Sequence, residues 1–200
     1  MSQNGKAGTE QKIKDLEQLQ ILNDSKKMMT WLESGEHYDC TFLVGSTKEK
    51  LFKCHRLTLA AKSPALEQIL FGHFVEAGKG ADDPISMPDV QPPIFEAVLK
   101  YFYGRETSGF SESLDKAMAV FEFASKWQVP VLDKVAATMC FSFDFSAEDL
   151  LILHHMFSLH SFEEEAKEIM AMICLRGSEV LRSLAIANKD TFLEILSKKK

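Results

Sequence analysis

The chain has 200 residues, 46% of them hydrophobic and 26% charged, with a formal net charge of -6 spread along its length. That composition can bury a core, while the absence of an 18-residue apolar run argues against a transmembrane helix. No segment is basic enough for phosphate-driven binding of nucleic acid. The N-terminal MSQNGKAGTEQKIKDLEQ lacks the apolar centre of a secretory signal, which points to the cytosol or nucleus.

In chain order, Ile13, Leu16, Leu19 and Leu22 recur every third residue in a polar background. This is a weak helical pattern, or a short strand around residues 19–22 that pairs elsewhere. Asn23-Asp24-Ser25 offers a cap for a helix through Met28, Met29, Trp31 and Leu32 that stops at Gly35. DCTFLVG (39–45) and KLFKCH (50–55) read as a hairpin. Residues 57–61 are apolar with helical character, and Ser63-Pro64 restarts a helix with serine as cap and proline at its first position. GKGADDP (78–84) is a loop and ISMPDV (85–90) a short strand. Gln91-Pro92-Pro93 opens a helix that ends at Gly104.

From residue 111 onward the pattern is helical. One helix ends near Pro130 and a second follows it. Ser146 with Asp149, and Ser161 with Glu164, form capping-box starts for two more. Two further helices are expected around residues 178–187 and 191–198, and Lys198-Lys199-Lys200 reads as a solvated end. The expected class is α+β, a small sheet flanked by helices and followed by an all-α segment.

Chemistry-bearing residues are sparse. Cys40, Cys54, Cys140 and Cys174 contain no CxxC pair and read as buried structural thiols rather than a disulfide framework. Cys54 and His55 are neighbours, yet adjacent residues of a strand face opposite ways, which disfavours a thiolate pair. His55, His154, His155 and His160 lack companions at zinc-like spacing. No paired carboxylates, catalytic triad or metal set is recognisable, so an enzyme, a metal centre and a cofactor are all unsupported.

The ordered set DCTFLVG (39–45), CHRLTLAAKSP (54–64), LFGHFVE (70–76), ISMPDVQP (85–92), FEAVLKYFYG (95–104) and FASKWQVPVL (123–132) resembles the BTB/POZ domain over roughly residues 25–143. DLLILHHMFSLHSFEEEAKEIMAMI (149–173) is similar to the three-box or BACK helices that follow this domain in ubiquitin-ligase adaptors. The expected organisation is a polar tail over 1–24, a BTB/POZ domain over 25–143 and three-box/BACK-like helices over 144–200. The chain departs from the family pattern at Ala65 and Leu66, where many members have an aromatic. It also lacks the threonine before Gly104.

The resemblance implies a non-enzymatic dimeric adaptor that binds cullin-3 and brings an unknown protein substrate to the ligase. Phe74 and Glu76 fall at the family's hydrophobic-x-Glu position. Phe74 would be an exposed plug, against the plain alternative of a core aromatic, with Glu76 a solvated carboxylate. Tyr103 lies where members place a second aromatic, at the rim or in the core. The resemblance also implies a dimer seam from Met28, Met29, Trp31, Leu32, Leu57 and Leu59, although an intrachain core face would carry the same pattern. It further implies a buried charged pair of Asp39 and Arg56. The three-box residues Leu150, Leu151, Leu153, Met156, Phe157, Ile169, Met172 and Ile173 supply apolar surface for packing or for a partner.

The other reading is a BTB module of a scaffold or transcriptional regulator that pairs with itself or another BTB chain without cullin binding. No substrate-reading domain is evident. Under the adaptor reading the sequence is therefore expected to be a fragment, to use its helical or N-terminal parts for substrates, or to regulate other adaptors by pairing with them.

Overall fold

The computed structural model describes residues 3–47, 49–104 and 107–177. The helices expected at 178–187 and 191–198, and the terminal lysines, lie outside the described residues. The chain divides into two compact units. One holds Lys126–Pro130 with the described residues up to Glu112; the other holds Ser113–Ser125 and the described residues from Val131 on.

The first unit begins with helix α1 (Gln3–Ser34), continuous where the sequence suggested two segments meeting at residues 23–25. The expected cap is not used. Asp24 instead accepts a hydrogen bond from Gln20 Nε2 at 2.9 Å, one turn back along the same helix. The helix does stop at Gly35, whose φ of +65° lets Glu36 N–H reach back to the Trp31 carbonyl at 3.2 Å. Ile13, Leu16, Leu19, Ile21 and Leu22 are all exposed.

Strand β1 (Cys40–Val44) pairs antiparallel with β2 (Lys50–Cys54), Phe42 opposite Phe52 and Cys40 opposite Cys54. It pairs parallel with β3 (Ile85–Met87), giving the order β2-β1-β3. Phe42 and Phe52 turn one face of the sheet inward, where Phe95 meets their rings at centroid distances of 5.4 and 5.1 Å. Phe95 belongs to α4 (Pro92–Gly104), which buries Ile94, Ala97, Val98, Leu99 and Phe102 as well. A three-residue turn separates helix α2 (Arg56–Ala60) from α3 (Pro64–Phe71). Ser63 caps α3 as its sequence announced, its Oγ accepting from Leu66 N–H at 3.0 Å. The same hydroxyl donates to the Trp127 carbonyl.

The second unit is helical: α5 (Leu114–Lys126, all but its last residue), α6 (Leu132–Cys140), α7 (Ala147–Leu159) and α8 (Glu163–Leu175). Helix α7 opens with the expected capping box, both Ser146–Asp149 bonds being made. Helix α8 does not. Ser161 sits at φ +63° and Phe162 precedes the first helical residue without a side-chain cap. Packing explains the shift: the Phe162 ring is drawn 4.9 Å from Phe121, so the helix starts one residue later. Phe157 stacks on Phe141 at 5.9 Å and meets Phe121 edge-on at 5.1 Å. Of the expected three-box residues, Leu150, Leu153, Met156, Phe157 and Ile169 are buried, while Ile152, Leu159 and Met170 of the same helices are exposed.

Candidate functional site

The surface feature with most chemistry lies where α3 ends. Leu66 and Leu70 of α3 are buried, but Phe71 is 56% exposed. Gly72 then turns the chain. A Cβ at residue 72 would stand 2.2 Å from the Gln68 carbonyl oxygen, so only glycine passes so close to the helix. Phe74 follows at 58% exposure and Val75 at 82%, leading into a 3-10 turn at Val75–Gly78 in which Glu76 is half-buried. The expected plug residue therefore stands on the surface, and Phe71 and Val75, near it in the chain, are exposed as well. Large exposed apolar patches mark contact surfaces.

Arg56 braces this segment. Its Nη1 donates to the carbonyls of Leu70 at 2.8 Å and Ala77 at 3.0 Å, and its Nη2 donates to the carbonyl of Lys79. Its Nε reaches the Asp39 carbonyl at 3.2 Å. The expected pairing with Asp39 takes a different form from a buried ion pair. Asp39 is exposed and Arg56 half-buried. The Asp39 carboxylate accepts the backbone N–H of Arg56 at 2.6 Å while the guanidinium goes to carbonyls. A guanidinium with several carbonyl acceptors within reach needs no carboxylate to satisfy its donors.

Tyr103 is in the core, at 4% exposure, not at a rim. Its hydroxyl accepts the His55 backbone N–H at 2.9 Å and meets His55 Nδ1 at 2.8 Å. With the hydroxyl proton given to Nδ1, His55 Nε2–H donates to the Glu36 carbonyl at 2.9 Å. The chain of bonds ties α4 to the end of α1, and burial, with the nearby Cys54 adding to it, pushes the phenol pKa well up. His55 is thus the structural histidine the sequence suggested. Tyr103→Phe removes the acceptor of a buried N–H and is expected to cost about 1–3 kcal/mol. Urea unfolding followed by tryptophan fluorescence measures it, and a loss below about 0.5 kcal/mol would mean water replaces the hydroxyl.

The residues expected at a dimer seam are distributed unevenly. Met28, Met29, Trp31 and Leu32 are half-buried on α1. Leu57 is 75% exposed, whereas Leu59 is wholly buried in this chain's own core. An open groove of about 400 Å³ runs between α1, α2 and α4, lined by Ile21, Met28, Leu57, Ala61 and Phe102 among others. The sequence missed the part of this groove contributed by Ile21, because residue 21 lies off the every-third-residue pattern.

Among the described residues no group of three His, Cys, Asp or Glu side chains could hold a metal ion, and no helix is long and apolar enough to cross a membrane. Burial pushes the Cys40 thiol up to about 12, with the Asp39 charge adding to the effect, and burial does the same to Cys140. Cys54 is shifted upward too, mainly by burial. Thiols this hard to ionise are poor nucleophiles at neutral pH. Cys174 is exposed, against the expectation of four buried thiols.

A small mixed sheet flanked by helices, with an exposed aromatic loop at the end of α3, is the α+β arrangement the sequence led us to expect. The profile of the BTB/POZ domain matches residues 28–143, more than half of the chain, and the chain belongs to the BTB/POZ family. Among curated proteins it is 32% identical to Kelch-like protein 41b of Danio rerio over 112 residues, 55% of this chain and 17% of that protein. It is 33% identical to Kelch-like protein 40 of Mus musculus over 130 residues, 64% of this chain and 18% of the other. It is 30% identical to Kelch-like protein 41 of Homo sapiens over 132 residues, 64% of this chain and 19% of the other. The chain thus spans less than a fifth of the length of these relatives.

Proposed function

We propose that this chain is a BTB adaptor that binds cullin-3 and pairs with a second copy or another BTB chain, so that a protein substrate reaches a ubiquitin ligase in the cytosol or nucleus. The observation that carries the reading is the exposure of Phe74 at the hydrophobic-x-Glu position, just before the 3-10 turn that follows α3. An aromatic presented this way suits insertion into an apolar cleft of a helical partner, and burying it is worth about 1.5–3 kcal/mol, roughly 10–100-fold in affinity. Glu76 beside it would add a charge-assisted hydrogen bond.

Calorimetric titration of the chain with the N-terminal domain of cullin-3 tests the reading. Saturable binding is expected, weakened about 10–100-fold by Phe74→Ala with thermal unfolding unchanged. A folded chain that does not bind would reject it. The second reading, a BTB pairing module without cullin binding, draws on the exposed Leu57 and the groove beside it. It would lead in that case.

A further inference from the structure

The Phe74 turn has few ties of its own to the rest of the molecule. Between the end of α3 and Lys79 the described backbone bonds are local: Gly72 N–H to the Gln68 carbonyl at 2.9 Å, Ala77 to Phe74 at 3.1 Å and Lys79 to Glu76 at 3.2 Å. Such a turn ordinarily samples many positions, and a partner that binds it must first order it. Arg56 changes this. Its guanidinium takes the Leu70 carbonyl on one side of Phe74-Val75-Glu76 and the Ala77 and Lys79 carbonyls on the other. The Leu70 carbonyl belongs to the last turn of α3, where no intrahelical donor remains for it. Arg56 is itself fixed, because its backbone N–H is held by the Asp39 carboxylate and its Nε by the Asp39 carbonyl at the start of the sheet.

We infer that Arg56 is the positioning residue of the Phe74 turn: it clamps the chain on both sides of the exposed aromatic to the first strand, so that Phe74 is presented pre-ordered. The consequence for affinity rests on the function proposed above; the clamp itself does not. The planar fork reaches several carbonyls at fixed angles, and an ammonium on a flexible stem cannot match it. The charge is therefore not the working part, and Arg56→Lys isolates the geometry.

The test uses the full chain and its Arg56→Lys variant. Hydrogen–deuterium exchange over residues 72–79 is expected to speed up about tenfold in the variant, with the β1 and β2 amides unchanged. Affinity for the N-terminal domain of cullin-3 is expected to fall about tenfold, and to fall much less in a Phe74→Ala background, as coupled residues require. Unchanged exchange over 72–79 would overturn the inference, as would an equal loss of affinity with and without Phe74. Should the variant lose protection in the sheet as well, the unsubstituted protein decides. Its Arg56 Nη protons should give resolved, slowly exchanging NMR signals, and averaged, rapidly exchanging ones would reject the clamp. If the unsubstituted chain does not bind cullin-3, the proposed function fails while the exchange and NMR results still judge Arg56.

Discussion

Phe157→Ala is expected to lower stability by about 3–5 kcal/mol, the range for emptying a large aromatic from a closed core. The residue has no exposed surface, and its ring meets Phe121, Phe141 and Phe162. Edge-on and stacked ring pairs add about 0.5–1.5 kcal/mol each beyond area burial, and one of each, with Phe121 and Phe141, is lost with this side chain. The remaining rings sit on three different segments and cannot collapse together into the space. The loss should be read by urea unfolding with far-ultraviolet circular dichroism as the signal. Both tryptophans, Trp31 and Trp127, lie in the first unit, so fluorescence followed in parallel reports on that unit. A cost under about 1.5 kcal/mol would mean that the cluster is loosely packed.

Aspartate at two positions of α2 should give opposite results. Leu59 has no exposed surface, and Leu59→Asp would bury a carboxylate without a partner, which costs several kcal/mol and is expected to abolish cooperative unfolding. Leu57, two residues earlier, is 75% exposed, and Leu57→Asp should stay within about 0.5 kcal/mol of the parent. If α2 pairs with a second copy, Leu57→Asp should also shift light scattering from dimer to monomer. A folded Leu59→Asp protein, or an unfolded Leu57→Asp one, would contradict the positions described for the two side chains.

The pair shows why some features were legible in the sequence and others were not. The β1–β2 hairpin, the Ser63-Pro64 start and the Ser146 capping box depend on neighbours in the chain, and each is found where its residues announced it. Leu57 and Leu59 are both apolar and lie two residues apart on one short helix. Which of them faces inward depends on α3 and α4, and no local pattern carries that. Tyr103 was ambiguous for the same reason, since an amphipathic side chain suits rim and core alike until the His55 backbone arrives to be bonded. The Ser161 box failed because tertiary demand on Phe162 outweighed a cap worth about 1 kcal/mol. Asp39 and Arg56 were expected as a buried charged pair, but sequence treats charged residues as charges. The backbone atoms they engage became visible only in the fold.

Helix α1 carries a geometric consequence. Each step of three residues along an α-helix falls about 60° short of a full turn. Ile13, Leu16, Leu19 and Leu22 therefore form a spiral, and after three steps Leu22 points away from Ile13 on the opposite side of the rod. Ile21 occupies yet another sector. A straight two-stranded zipper needs its apolar residues in one seam, and this arm has none. A flat surface laid along it could shelter two or three of the five and would leave the rest in water. Only an enclosing socket, or contacts arriving from opposite directions, could cover them all.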